Sequence, residues 1–149
     1  MDFCSPERVS AKFRGNGQRD GPPVLLYGDL FHSLSKFLYC AESFYGASGF
    51  RGTVLVRVSL HNVAQERMTF YRLGDLFFHD LSPDDFRCIA EVVSTERLVE
   101  VDRIVTNKLD VLTDILRELA WSFWQSLAEF PGDRLNAYAA ETLRGLGLR

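Results

Sequence analysis

The chain has 149 residues, of which 46% are hydrophobic and 25% charged, enough apolar surface for one packed domain and too much for a disordered one. A formal net charge of −3 gives no overall basic bias toward nucleic acid, although a local basic patch is compatible with it. Cys4, Cys40 and Cys88 are odd in number and widely spaced with no CxxC, so they read as thiols of a reducing cytosol, and no apolar run approaches the roughly 18 residues that would span a membrane.

Residues 1–23, rich in Gly, Pro and charges of both signs, predict a disordered arm or linker; residues 24–149 predict a single α+β domain. After the two prolines, residues 24–27 read as a short strand or extended lead-in. Gly28-Asp29 then offers a turn and a capping carboxylate. Leu30, Leu34, Phe37, Ala41 and Phe44 recur at helical spacing, which predicts a first helix ending at Gly46. From Arg51 to Val63 the period changes to two: Val54, Val56, Val58 and Leu60 alternate with Thr53, Leu55, Arg57, Ser59 and His61. Arg67 to Leu73 predicts a second strand, paired with the first as a hairpin. Asp75 to Leu81 reads as an aromatic loop or short strand.

Ser82-Pro83-Asp84-Asp85 could cap a helix, but the following residues are rich in Val, Ile and Thr. A turn there and a long, bulged strand from Arg87 to Val101 is the preferred reading, with a short helix over 86–94 as the alternative. Lys108 to Phe130 is the clearest amphipathic helix. Leu112, Ile115, Leu116, Leu119, Phe123, Leu127 and Phe130 share one side, stopped by Pro131-Gly132. Trp121 lies roughly 180° from the centre of that stripe and Trp124 about 120° from it. Residues 135–146 predict a terminal helix whose Leu135, Tyr138 and Leu143 would cover the two tryptophans. The expected fold is a small, mostly antiparallel sheet covered by helices, with a long C-terminal amphipathic helix.

Few residues suggest chemistry. Pro83-Asp84 followed by Glu91-Val92-Val93 echoes a PD-(D/E)xK nuclease pattern but lacks the lysine. His32, His61 and His79 share no spacing that would converge on a metal. His79, Asp80, Asp84 and Asp85 are the residues on which a hydrolase would have to be built. The three glycines of Gly46 to Gly52 follow a helix and open a strand, the reverse of a phosphate-cradling loop. No catalytic residue, metal ligand or cofactor is therefore expected.

The segments ESFYGASGFRGTVLVRVSLHNV and RLVEVDRIVTNKLDVLTDILRELAWSF resemble the C-terminal region of bacterial proteins that begin with a Schlafen-like, AlbA-type DNA-binding domain. The resemblance spans roughly residues 24–130 and implies an accessory or assembly module of a regulatory or defence protein. The nucleic-acid-handling residues of that family belong to the N-terminal domain, so the resemblance assigns no site here. The functional expectation is a non-enzymatic, cytoplasmic module that self-associates or docks a protein partner. Trp121, Trp124, Arg117 and Tyr138 are its contacts. The alternative is a nucleic-acid-associated module using Arg57, Arg67 and Arg72 with the basic N-terminal arm.

Overall fold

The structure, a computed structural model, describes residues 24–70 and 74–145; the expected N-terminal arm, Arg72 and Leu146 lie outside them. Its elements are β1 (Val24–Leu26), α1 (Tyr27–Ser48), β2 (Thr53–His61), β3 (Arg67–Thr69), α2 (Gly74–Phe78), a 3₁₀ turn (Pro83–Asp85), β4 (Val92–Glu100), α3 (Val101–Phe123) and α4 (Gly132–Gly145). The fold is α+β, with two small sheets of two strands each.

Helix α1 starts one residue before the predicted glycine and runs through Gly46. Asp29 lies in the first turn, near the positive helix end, and makes no cap bond because the cap position is Leu26. The stop is Gly49, at φ 66°, whose N–H donates to the Tyr45 carbonyl at 3.2 Å. That left-handed conformation favours glycine, and Gly46, inside the helix, does not need it. The buried face is also rotated from the predicted stripe. Tyr27, Leu30, Phe31, Ser35 and Leu38 are buried, whereas Phe37 and Phe44 are exposed. The reason is the partner. α1 packs along α3, and Lys108 of α3 reaches Glu42 at 2.9 Å and sits 4.5 Å over the Tyr39 ring.

β2 does not pair with β3. It pairs antiparallel with β4, Thr53 opposite Glu100 through His61 opposite Val92, while β3 pairs in parallel with β1. The predicted hairpin fails because Asn62 (φ 58°) and Gln65 (φ 67°) take left-handed conformations and bend the chain. After the bend the chain still follows the segment that leads into β4. Gln65 N–H donates to Cys88 O, Cys88 N–H to Glu66 O and Met68 N–H to Phe86 O, each at 2.8 Å. The segment therefore pairs in two sections, Phe86 and Cys88 with the 65–68 stretch and then β4 with β2, so the strand expected from Arg87 begins five residues later, at Val92. Ahead of it, Ser82 and Asp85 form a capping box around Pro83, so the predicted turn is a 3₁₀ turn.

The main helix is displaced toward the N-terminus. It begins at Val101, whose N–H donates to Gly52 O at 2.8 Å, and kinks at Asn107 (φ −146°, ψ 44°) before the predicted start at Lys108. It ends at Phe123, not at Phe130. Trp124 adopts an extended conformation (φ −73°, ψ 121°) and bridges Phe86, and Gln125 N–H donates to Asp85 O at 2.8 Å. Seven residues predicted helical are thus spent on tying the helix end to the 85–86 segment and returning the chain to α4. Leu112, Ile115, Leu116, Leu119 and Phe123 are buried as the periodicity requires, but Leu127 is fully exposed. Burying each of these apolar side chains contributes about 1.5–3 kcal/mol, so this stripe is the main reason the helix docks.

Candidate interaction surface

The α3 face toward β4 is polar where most helix–sheet seams are apolar. Arg97 on β4 pairs with Asp114 and, at 3.0 Å, with Glu118; Thr95 donates to Glu118, and Arg103 lies 3.6 Å from Asp114. Alternation along β4 turns Thr95 and Arg97 to the same side as buried Val93 and Val99, which forces acidic partners onto α3. Asp114 and Glu118 are therefore part of the seam.

The tryptophans sit at the other end of α3. Trp124 is half-buried. Its ring meets Phe86 at 4.9 Å and Phe130 at 5.9 Å, and its Nε1–H donates to Ala128 O at 3.2 Å. Trp121 is 59% exposed and stacks edge-on against Phe130 at 4.8 Å, with Leu127 in the same exposed loop. Trp121 is not covered as predicted, and the ring contacts on the two tryptophans come from Phe130, expected in the helix stripe, and from Phe86. Tyr138 is 1% exposed and packs among Tyr27, Phe70, Phe77 and Phe78 at 5.5–5.9 Å. It belongs to the core and cannot serve as a contact while the domain is folded. Arg117 is exposed one turn before Trp121; a Cβ built on Gly132 would lie 2.6 Å from its guanidinium, so this group rests on the glycine at the start of α4.

Two arginines of the nucleic-acid reading, Arg57 and Arg67, are engaged. Arg57 pairs with Glu96 at 2.5 Å across the β2–β4 ladder, and Arg67 pairs with Asp84 at 2.6 Å, with Arg87 at 3.8 Å from the same carboxylate. Asp84, the aspartate of the nuclease-like pattern, thus joins two arginines. Asp80 accepts a hydrogen bond from Arg134, which also donates to Phe77 O, and that hydrogen bond holds the Asp80 carboxyl below its ordinary range. Burial raises the Cys88 thiol, whose Sγ donates to Ala90 O, while Cys40 is exposed on α1. Among the described residues no group of three or more His, Cys, Asp or Glu side chains is placed to hold a metal ion, and none of their helices is long and apolar enough to cross a membrane.

Sequence reasoning missed two surface features. Leu55 and Leu98 oppose each other on the outer face of the β2–β4 ladder at 53% and 72% exposure. Alternation had marked Leu55 as outward but could not show that Leu98 lay beside it. The exposed Phe37 and Phe44 on α1 were concealed by a stripe that looked like core. Compared with models of protein families, with curated proteins and with solved structures, the chain finds no match.

Proposed function

We propose that this chain is a protein-interaction module and that the end of α3, Trp121 with Arg117 beside it, is its docking surface. One observation carries the reading: a tryptophan left 59% exposed yet held edge-on by Phe130. A tryptophan in water forfeits burial of a very large apolar ring, and here the ring is oriented before any partner arrives. Pre-ordering lowers the entropy lost on association, and Trp and Arg are the residue types that most often dominate binding energy. The resemblance to the C-terminal region of Schlafen-like, AlbA-type proteins supports an accessory or assembly role in a regulatory or defence protein. Arg57 and Arg67, each already facing a carboxylate, offer less free positive charge to a phosphate backbone than the sequence suggested.

The test is affinity capture with the full chain beside Trp121→Ala. A protein retained in stoichiometric amount by the wild type and lost from the variant supports the docking surface. Retention unchanged by the substitution, or no stoichiometric partner for either protein, refutes it.

A further inference from the structure

Val101 N–H donates to Gly52 O, so Gly52 and Val101 are a hydrogen-bonded pair of the antiparallel ladder, and the register carries that property to every second residue: Val54, Val56, Val58 and Leu60 bond β4. Thr53, Leu55, Arg57, Ser59 and His61 then direct their N–H and C=O groups to the far edge. Among the described residues nothing pairs with that edge. The strand is nine residues long with no proline or internal bulge to blunt its edge against pairing, and its one Lys or Arg side chain, Arg57, is already paired with Glu96. α3 lies under β4 and hardly under β2, which leaves Val54 and Val58 half-covered on the inner face.

We propose that the edge of β2 pairs antiparallel with β2 of a second copy about a two-fold axis at Val56, making a continuous four-stranded sheet. The sequence of the strand is what commits the edge to a copy of itself. Its inner face reads Val54, Val56, Val58, the same in both directions, so the axis sets Val54 against Val58 of the copy and Val56 against Val56. On the outer face Thr53 meets Ser59 and Leu55 meets Arg57. The outward N–H and C=O groups of 53, 55, 57 and 59 become hydrogen-bonded pairs, which is the pairing an axis through Val56 requires. Charge selects this register over its neighbour. An axis at Arg57 would oppose Arg57 directly to its copy, a destabilising arrangement, whereas an axis at Val56 seats each Arg57, already paired with Glu96, beside an exposed leucine. A slip by one residue would set the outward-facing groups of 53, 55, 57 and 59 against residues that already bond β4, so no ladder could form there.

The test uses the full chain and two kinds of variant. Light scattering on a sizing column should give a mass twice that of one 17.0 kDa chain for the wild type and for Trp121→Ala. Ser59→Pro removes an N–H that points to the free edge and none that bonds β4, so the folded monomer should keep its circular dichroism while the dimer weakens on the order of 30-fold, from two lost hydrogen bonds. Val56→Cys, in a Cys4→Ser and Cys40→Ser background, should form a disulfide between copies under mild oxidation, because only the residue on the axis faces itself. A wild type of single-chain mass overturns the proposal, as does a dimer that Ser59→Pro leaves intact or that Val56→Cys fails to link. A dimer dispersed by Trp121→Ala also overturns it, and leaves the tryptophan surface standing as the site of self-association.

Discussion

Replacing Trp121 by alanine separates a docking residue from a core residue, and the structure sets the size of both effects. With 59% of the side chain exposed, about two-fifths is covered. For a ring system of roughly 250 Å² that is about 100 Å², and ~25 cal/mol per Å² gives a ceiling near 2.5 kcal/mol. Part of that cover comes from neighbouring turns of α3 and survives in partly collapsed unfolded chains, which lowers the figure. Loss of the edge-on contact with Phe130 adds about 0.5–1.5 kcal/mol. A net cost of about 2–3.5 kcal/mol follows for Trp121→Ala. Phe123→Ala, two residues on and 0% exposed, should cost about 3–5 kcal/mol through transfer and cavity terms. Urea unfolding followed by circular dichroism measures both. Partner affinity should change the other way, falling at least about 30-fold with Trp121→Ala, the loss expected of a dominant contact. Equal destabilisation by the two substitutions, or undiminished affinity with Trp121→Ala, would refute the reasoning.

Other outcomes follow from individual contacts. Gly49→Ala should destabilise by about 1 kcal/mol because its φ of 66° is left-handed, whereas Gly46→Ala, inside α1 with open space at its Cβ, should stabilise by about 0.5–1 kcal/mol; thermal melts give both signs. Tyr27 is buried beside Tyr138, and burial raises its pKa well above the ordinary value near 10. A raised phenol pKa means the folded state holds a proton that the unfolded state releases, so stability is full below about pH 10 and falls as pH rises beyond it. Tyr27→Phe should flatten that alkaline loss in denaturant titrations at pH 8 to 11. Asp80 behaves in the opposite sense: its pKa is lowered by Arg134, so its contribution is present above the unfolded value near 3.8 and is lost as pH falls below it. Asp80→Asn should make stability less acid-sensitive. Tyr138→Ala, at the centre of the aromatic cluster, should cost about 3–5 kcal/mol and loosen α4 from α2, visible as faster amide exchange in Gly132–Gly145.

Much of the fold was legible because local pattern and burial agreed. The alternation in β2 and the stripe from Leu112 to Phe123 each allow only one buried face, and the structure buries it. The misreadings occur where a distant partner decides. Phe37 and Phe44 fit a helical stripe as well as Tyr27, Phe31 and Leu38 do, and only the approach of α3 chooses between them. Residues 124–130 have helical periodicity, yet Trp124 gains a backbone bridge to Phe86 and a ring contact with it, and that pairing ends the helix. The β2–β3 hairpin was plausible by proximity in sequence, but left-handed Asn62 and Gln65 bend the chain away. At the candidate surface the sequence placed Trp121 on the polar back of its helix; Phe130 as its support required the loop, and the burial of Tyr138 required the aromatic cluster around it.

The most direct measurement of the central claim is quantitative affinity capture with three full-length proteins side by side: wild type, Trp121→Ala and Ser59→Pro. If docking uses the end of α3 and not the sheet edge, one stoichiometric protein partner is held by the wild type and by Ser59→Pro and lost from Trp121→Ala. The same partner held equally by Trp121→Ala, or none held by the wild type, would contradict it.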